Sequence, residues 1–285
     1  VAPRGQWDVL DADLCIASPD AQAGVKSRPT AAAIHGRFSH SSESLFKLCV
    51  ALELKPGEFI ALCGPVASGK SSLLLSLLGE MHVENGGSTL PSGVAYFAQS
   101  PWIRSGSIRN SIIQELPVDD NQYWRAVRAA QLVPDLALWA AGDSTHVGAR
   151  GVTLSGGQRA RLGLAHLLYR CLVSKVDLVL MDDCFAAVDV HVARAICEEA
   201  ILGILVDKSR TVLMVMNSNF VALQAANRIV SVDNGKSSVY SSVQEWLQSC
   251  SAPVRTSCLQ TMVPITGRTL EDYVPEISKA TQSQS

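Results

Sequence analysis

Short apolar runs bounded by turn-forming residues recur along this sequence, and most have a length typical of buried strands. Strands are predicted at residues 31–34, 45–54, 59–63, 93–98, 176–181, 211–216 and 228–232. Segments with helical spacing lie between or after them, at residues 73–78, 107–113, 119–132, 134–140, 155–172, 191–206 and 243–247. Strands that alternate with helices indicate an α/β fold, with a mostly parallel sheet and helices on both faces.

Between the fourth and fifth predicted strands the pattern becomes helical. Its second segment, 119–132, is bounded by Pro117 and Pro134, which set the limits of the helix. We therefore expect a helical insertion between strands. Two other stretches are predicted to be turns, 39–43 and the glycine-containing 84–87.

The two ends of the chain lack such patterns. Residues 1–30 are rich in Ala, Ser, Pro and Asp, and residues 250–285 in Ser, Thr and Pro. Both are expected to be linkers that flank a domain at residues 31–249.

Composition narrows the function classes. The net charge of −2 predicts no strong attraction to nucleic acid or anionic lipid, so no nucleic-acid partner is expected. The absence of an apolar run of about 18 residues predicts no transmembrane helix in this sequence. The 8 cysteines include no C-x-x-C pair, which indicates reduced thiols in a cytosolic compartment instead of disulfides or zinc ligands.

The stretch from Gly64 to Ser72 fits the pattern G-x-x-x-x-G-K-[ST], with a predicted strand before it and a predicted helix after it. This context indicates a phosphate-binding loop, in which backbone N–H groups and the helix N-terminus face phosphate oxygens. Lys70 then supplies a charge toward the β- and γ-phosphates, and Ser71 a hydroxyl to Mg²⁺. A chance glycine-rich turn is the alternative, and the flanking strand and helix disfavour it.

A second glycine-rich sequence, Leu154-Ser155-Gly156-Gly157-Gln158, opens a predicted helix. A serine hydroxyl and exposed glycine N–H groups at a helix N-terminus form an anion site. Taken alone, the sequence is equally well explained as a cap, since Ser155 is a good N-cap residue. If both glycine-rich sequences bind phosphate, we expect them to serve different nucleotides.

The apolar run 176–181 ends in two carboxylates, Asp182 and Asp183. A carboxylate at the C-terminal end of a strand next to a phosphate loop is where Mg²⁺ is held. The alternative role is a helix N-cap, since Asp is favoured there too.

Together these three features resemble an ATP-binding cassette, the nucleotide-binding domain of ABC transporters, over about residues 31–249. The matching motifs are Gly64–Ser71 for Walker A, Gln99 for the Q-loop, Leu154–Gln158 for the signature, Val179–Asp182 for Walker B and Ala187–Asp189 for the D-loop. The resemblance implies a P-loop NTPase core with a mostly parallel sheet, an antiparallel β subdomain and a helical subdomain at about residues 103–172.

The resemblance also implies ligands and partners. ATP and Mg²⁺ would be the cofactors, and two cassettes would pair head to tail, with ATP clamped between the Walker A of one and the signature of the other. ATP would be bound by His40, Gly64, Pro65, Val66, Ala67, Ser68, Gly69, Lys70, Ser71, Ser72, Leu154, Ser155, Gly156, Gly157 and Gln158. The metal would be held by Ser71, Gln99 and Asp182, and the catalytic positions would be Asp183, Gln99 and Asn217. The partners would be a second cassette and the transmembrane domains of the same transporter, at the cytoplasmic face of a membrane.

The match narrows to one subfamily. Residues 94–103 and 148–158 and the Asp182-Asp183 pair look like those of the multidrug-resistance-associated (C) subfamily. Lys70 and Ser155 are 85 positions apart (155 − 70), and first cassettes of that subfamily are similar in having a short helical region. We therefore interpret the chain as a first cassette of a longer export transporter. The same interval lacks heptads, which excludes the ABC proteins of the DNA-repair or condensin kind, with their long coiled-coil arms.

Two positions depart from the family pattern. An efficient cassette has Glu in place of Asp183, as the base for the attacking water, and His in place of Asn217, in contact with the γ-phosphate. The Asn side chain can neither accept nor release a proton at neutral pH, and it has no charge. Losing a positioned acid or base typically costs about 10²–10⁴-fold in rate. We therefore expect ATP binding with slow hydrolysis. A fully competent ATPase is disfavoured, and a nucleotide-sensing regulatory module with little ATPase activity stays open.

The family's adenine-stacking aromatic falls on His40, whose imidazole stacks more weakly than indole. Phe38 is the second candidate, and a core position explains that residue equally well.

Overall fold

A computed structural model describes residues 32–42, 44–148, 152–207, 209–217, 222–251 and 254–255. The linkers predicted at 1–30 and 250–285 lie outside the described residues, apart from residues 250, 251, 254 and 255. Within the described ranges, every helix is too short or too polar to span a lipid bilayer.

The described strands form one sheet of nine and a separate pair. They are β1 (Ala32–Ser39), β2 (Lys47–Leu54), β3 (Phe59–Cys63), β4 (His82–Thr89), β5 (Val94–Phe97), β6 (Gly106–Ser107), β7 (His146–Val147), β8 (Leu178–Met181), β9 (Thr211–Val215), β10 (Arg228–Asp233) and β11 (Lys236–Tyr240). The order in the large sheet is β4-β1-β2-β11-β10-β3-β9-β8-β5, and β6 pairs with β7. Neighbours from β10 to β5 are parallel, whereas β4, β1 and β2 pair antiparallel. The sheet therefore combines a parallel core with an antiparallel edge.

The helices flank this sheet. They are α1 (Lys70–Leu78), α2 (Ile108–Ile113), α3 (Asp120–Ala129), α4 (Val133–Ala137), α5 (Gly156–Val173), α6 (Val190–Ile196) and α7 (Val243–Ser249), with 3₁₀ turns at Gly142–Ser144 and Leu223–Ala225. The helix predicted at 191–206 is confirmed in extent, but its second half, Cys197–Leu205, is a π-helix. Apolar spacing alone does not distinguish an α-helix from a π-helix, because both place apolar groups on one face.

Side chains of the parallel strands alternate between two cores. Phe59 and Ala61 belong to a core that also contains residues of α2, α3, α5 and α6. Ile60 and Leu62 point to a second core, which contains Leu73 of α1 and residues of β1 and β2. The sheet is therefore covered on both faces, which confirms the α/β arrangement predicted from the alternation of strands and helices.

The turn predicted at 84–87 is wrong, because these residues lie inside β4, antiparallel to β1. Gly86 pairs with Gly36, and their φ angles are 78° and 123°. A Cβ on Gly86 would lie 2.1 Å from the carbonyl oxygen of His35. The glycines therefore permit two strands to approach closely, and in sequence this requirement looks the same as a turn.

Most of the described cysteines agree with the prediction of reduced thiols. The free thiols are Cys63, Cys171, Cys184, Cys197 and Cys250. Burial raises the pKa of Cys171 to about 11, which keeps that thiol protonated and unreactive at neutral pH. Cys49 in β2 is instead bonded in a disulfide, so the prediction is wrong for that residue.

Arg210 ties the ends of two helices to the sheet. Its guanidinium donates to the carbonyl oxygens of Ile204 at 2.8 Å and Cys171 at 3.0 Å, which lie near the ends of the π-helix and α5. It also donates to the carbonyl oxygen of Val176, just before β8, at 3.2 Å. The Arg210 side chain is 11% exposed. One side chain therefore binds helix-terminal carbonyl groups that have no intrahelical partner.

Replacing Arg210 is expected to destabilise the fold. Arg210→Ala leaves these carbonyl groups without their donor, and hydrogen bonds to a charged group each contribute about 1.5–3 kcal/mol, so the free energy of unfolding should fall by about 3 kcal/mol. The matched control is Arg194→Ala, which breaks a half-exposed pair with Glu198 and should cost about 0.5 kcal/mol. Urea denaturation measures both losses, and equal losses would contradict this role for Arg210.

Candidate nucleotide-binding site

Backbone conformation shapes the predicted phosphate loop. Strand β3 is wholly buried and α1 begins at Lys70, so the loop spans Gly64–Gly69. The φ angles of Gly64 and Gly69 are 144° and 110°, and a Cβ on Gly64 would lie 2.1 Å from the carbonyl oxygen of Val232. Neither position tolerates a side chain without strain, so both glycines of the motif are steric requirements.

Lys70 lies folded back into this loop and is 5% exposed. Its Nζ donates to the carbonyl oxygens of Gly64 at 2.8 Å and Pro65 at 2.5 Å. Since an ammonium group has three donor hydrogens, one remains for a phosphate oxygen. Burial lowers the pKa of Lys70, and nearby acidic groups, among them Asp183 and Asp182, act in the opposite direction.

A cleft of about 370 Å³ opens at the loop. Its walls are formed by His40, Phe46, Val66, Ala67, Gly69, Lys70, Ser71, Ser72, Gln99 and Asn217. The fold thus brings residues of the phosphate loop together with three predicted site residues that are distant in sequence, His40, Gln99 and Asn217. This volume lies within the range of about 300–1,000 Å³ that is usual for small-molecule sites.

The two carboxylates lie at the same edge of the sheet. Asp182 and Asp183 directly follow β8, and β9 separates β8 from β3, so the carboxyl ends of three parallel strands meet near the loop. Asp182 is 5% and Asp183 is 6% exposed. Burial raises the pKa of Asp182, whereas a side-chain hydrogen bond from Ser71 and the charge of Lys70 act in the opposite direction.

Oxygen atoms from Ser71 and Asp182 therefore lie side by side at the phosphate loop, with Gln99 on the cleft wall. Hydroxyl, carboxylate and amide oxygens are the ligands that Mg²⁺ prefers. The residues present thus fit a magnesium ion that also contacts bound phosphates.

Asn217, which follows β9, contacts the second carboxylate. Its Nδ2 donates to Asp183 Oδ2 at 2.6 Å. Burial raises the pKa of Asp183, whereas this hydrogen bond acts in the opposite direction. Asn217 Oδ1 is buried without a hydrogen-bond partner among the described residues. The two positions that depart from the family pattern are therefore in direct contact with each other.

The second glycine-rich sequence caps α5 as predicted. Ser155 Oγ accepts from the backbone N–H of Gln158 at 3.2 Å, and Gln158 Oε1 accepts from the backbone N–H of Ser155 at 3.0 Å. This arrangement is a capping box, and it leaves the Ser155 hydroxyl hydrogen available to a ligand. Leu154–Gln158 do not line the Lys70 cleft. The capping and anion-binding interpretations of Ser155 are therefore compatible.

A buried acidic residue that sequence reasoning missed anchors the start of α5. Asp135 in α4 is 6% exposed and accepts from Arg161 Nε at 2.8 Å and Nη2 at 2.9 Å. It also accepts from Gln158 Nε2 at 3.2 Å. A two-pronged Arg–carboxylate pair of this kind fixes orientation as well as distance. No local motif marks Asp135, because its partners are more than 20 positions away.

The two aromatic candidates differ in position. Phe38 is 1% exposed and belongs to the α1-side core, so it is a core residue. His40 is exposed at the cleft, where its Nε2 lies 3.3 Å from Ser72 Oγ. Phe46 also lines the cleft and was missed, because it sits in an apolar strand-like run that gives no separate signal.

A glycine loop with a buried lysine, next to a strand that ends in carboxylates, defines a P-loop nucleotide-binding protein. Residues 49–186 match the family model of ABC transporters. Through this region the chain belongs to the ABC transporter family, and its relatives include many members of the C family.

Three relatives illustrate the match. The chain is 40% identical over 204 residues to ABC transporter C family member 9 of Arabidopsis thaliana, covering 71% of this chain and 13% of the relative. It is 37% identical over 196 residues to ATP-binding cassette sub-family C member 4 of Homo sapiens, covering 69% and 14%. It is 38% identical over 163 residues to ATP-binding cassette sub-family C member 2 of Mus musculus, covering 56% and 10%. The matched part of the chain thus spans a small fraction of each of these relatives.

Nucleotide binding should depend on Lys70. Lys70→Ala removes the positive charge inside the loop, so the rise in melting temperature that MgATP causes in wild type should disappear. Differential scanning fluorimetry measures this rise. Lys175→Ala, at a side chain that is 86% exposed, is the matched control and should keep the full rise. Equal MgATP-induced rises in wild type and Lys70→Ala would exclude this role for Lys70.

Stability should depend on pH through Asp183. Since burial raises the folded-state pKa of Asp183, its contribution to stability is fully present below the unfolded pKa and is lost as pH rises through the folded pKa. Asp183→Asn removes this loss. Between about pH 4 and pH 7, the stability of wild type should therefore fall relative to that of the variant.

Urea denaturation of the nucleotide-free protein at several pH values measures the difference. Asp233→Asn, at an exposed position in β10, is the matched control. A constant difference between wild type and Asp183→Asn at all pH values would contradict the expectation.

Proposed function

We propose that this chain is the first cassette of a C-type ABC exporter, and that it binds MgATP with slow hydrolysis at its own Walker A site. The observation that carries the second part is the hydrogen bond of 2.6 Å between Asn217 and Asp183. ATP binding and coupling to transport are general to the family; the slow site is inferred from Asp183 and Asn217 of this chain.

The contact explains why Asp183 is a poor base. A water-activating carboxylate needs a free oxygen directed at the attacking water. Asp183 is one methylene shorter than Glu, and its Oδ2 is bound by the Asn217 amide. Its backbone also has a φ of 50°, a conformation that few non-glycine residues adopt. The side chain is therefore held toward β9 by its neighbour.

The contact also explains why Asn217 does not replace histidine. An amide adds no positive charge near the γ-phosphate and gains or loses no proton at neutral pH. One of its two N–H donors is used by Asp183, which leaves the second N–H and the acceptor Oδ1. Neither residue belongs to the phosphate loop, so affinity for ATP should be unaffected.

Magnesium is assigned to Ser71 and Asp182, with Gln99 as a direct or water-mediated ligand. These residues would hold the ion, which would offset the charge of bound phosphates, its general role beside phosphate loops. The contact between Ser71 and Asp182 supports this assignment, because it places a hydroxyl and a carboxylate oxygen side by side at the loop.

A partner cassette is required in this proposal, because none of residues 154–158 lines the Lys70 cleft of its own chain. The capped helix α5 then presents Ser155, Gly156 and Gly157 to the nucleotide of a second cassette. Head-to-tail pairing places one signature at each Walker A site. The two cassettes would work at the cytoplasmic side of a membrane and move the transmembrane domains of the same transporter.

A nucleotide-sensing regulatory module with little ATPase activity is the second candidate. The altered Asp183–Asn217 pair favours it, because binding without turnover suffices for a sensor. The two candidates differ in whether restoring the catalytic pair restores turnover that drives transport.

Turnover at this site should rise when both catalytic positions are restored. In the full transporter, with the partner's own Walker A site disabled, Asp183→Glu with Asn217→His should raise ATP hydrolysis by about tenfold or more. The double variant should exceed the product of the single effects, since the two groups act as a unit. Steady-state phosphate release measures the rates.

The matched control carries the same two changes at exposed neighbouring positions, Asp120→Glu with Asn121→His, and should leave turnover unchanged. If wild type already hydrolyses ATP at this site as fast as the restored variant, the slow-site proposal fails. If turnover rises without added transport, the regulatory module is favoured instead.

A further inference from the structure

Phe46 forms an aromatic wall of the Lys70 cleft. It lies just before β2, is partly buried, and packs across the phosphate loop. A Cβ on Gly69 would lie 2.6 Å from Phe46 Cζ, and a Cβ on Gly235 would lie 3.6 Å from Phe46 Cε2. The ring therefore rests on two glycines, one in the loop and one in the β10–β11 turn. A ring held in this way is pre-organised to receive a flat ligand group.

The β10–β11 turn is itself fixed to the loop. The backbone N–H of Gly235 donates to the carbonyl oxygen of Ser68 at 3.1 Å, and the Gly235 carbonyl oxygen accepts from the N–H of Cys49 at 2.6 Å. A Cβ on Gly235 would lie 2.1 Å from the carbonyl oxygen of Lys47. Backbone contacts among the phosphate loop, β2 and the β10–β11 turn thus fix the surface on which Phe46 lies.

His40 is oriented differently. Its Nε2 lies 3.3 Å from the hydroxyl of Ser72, on the first turn of α1. The His40 and Phe46 ring centroids are 5.8 Å apart, with ring planes tilted by 33°. The imidazole is therefore tied by a polar contact to the phosphate end of the cleft, whereas the phenyl ring has no polar atom to satisfy.

The cleft walls contain both polar and apolar side chains. Lys70, Ser71, Ser72, Gln99 and Asn217 supply polar groups for phosphate and metal. Phe46, Val66 and Ala67 supply apolar surface. A nucleoside triphosphate needs both kinds of surface, because its charged phosphates bind polar groups and its flat base stacks readily on aromatic rings.

We infer that Phe46 carries the nucleotide base in this cassette, and that His40 acts on the phosphate side through Ser72. This inference rests on the proposed binding of MgATP in the cleft. It separates two roles along the chain: the histidine at the family's aromatic position orients a hydroxyl of α1, and the base-stacking surface lies six positions further on, at Phe46 (46 − 40).

The test compares two ligands, MgATP and magnesium tripolyphosphate, which lacks the base. Dissociation constants are obtained from the dependence of melting temperature on ligand concentration. Phe46→Ala should weaken MgATP binding by about fivefold or more and leave tripolyphosphate binding unchanged, because the loss is confined to stacking. His40→Ala should weaken both ligands by the same factor, about threefold, because the lost contact orients Ser72.

Leu45→Ala is the matched control at a fully exposed neighbouring position, and it should bind both ligands as wild type does. Phe46→Leu keeps the apolar volume and loses the ring, so it serves if Phe46→Ala does not fold, and it should also weaken MgATP selectively.

Several outcomes would overturn the inference. Equal MgATP affinity in wild type and the Phe46 variants would exclude stacking on Phe46. A loss in His40→Ala that is confined to MgATP would assign the base to His40 instead. Failure of wild type to bind tripolyphosphate at any concentration would contradict the phosphate-side role of His40. Failure of wild type to bind MgATP would overturn the proposed function itself, a result distinct from the others.

Discussion

The placement of one buried ammonium group determines the arrangement of the site. Lys70 is 5% exposed and lies where the loop turns its carbonyl groups inward, so its charge is removed from water and must be compensated. Two loop carbonyl groups and the carboxylates after β8 supply that compensation. This is possible because β3, β9 and β8 are adjacent and parallel, so that their carboxyl ends meet at one edge. The burial of the Lys70 charge thus depends on the parallel strands and on the glycines at 64 and 69.

The same burial creates a tension between folding and function. Asp182 and Asp183 both have pKa values raised by burial, so their ionised forms oppose the stability of the nucleotide-free fold. In the proposed function, a metal ion and phosphates would relieve this for Asp182, which lies beside Ser71. For Asp183 the compensation comes from the Asn217 amide. A neutral donor stabilises the carboxylate and, by occupying one of its oxygens, would make it less available as the proposed base. Asp183 and Asn217, which stand where an efficient cassette has Glu and His, therefore compensate each other through their hydrogen bond.

The sequence predicted the parallel core and the phosphate loop well, because apolar runs and the spacing of Gly64, Gly69 and Lys70 are local signals. The cap at Ser155 was likewise predictable from residue type. The interpretation of 84–87 as a turn was wrong because Gly86 allows β4 to lie close to β1. Composition does not distinguish a glycine in a turn from a glycine at such a close contact. Phe46 and Asp135 were missed since both depend on partners distant in the chain. The assigned roles of the site residues remain predictions, although the fold brings the cleft residues together.

The start of α5 and the Lys70 cleft are held by different hydrogen bonds, although Gly156 and Asp183 line one cavity. The start of α5 is fixed by the Ser155–Gln158 capping box and by Asp135, whose two carboxylate oxygens accept from Arg161 Nε and Nη2. The Walker A site is fixed by the loop backbone and the strand ends. Among the described residues, Asp183 and Asn217 make none of the hydrogen bonds that fix the start of α5. Because of this separation, a cassette with a slow site of its own would still complete the site of a partner. Under the proposed head-to-tail pairing, slow hydrolysis at one site would therefore be compatible with activity at the other.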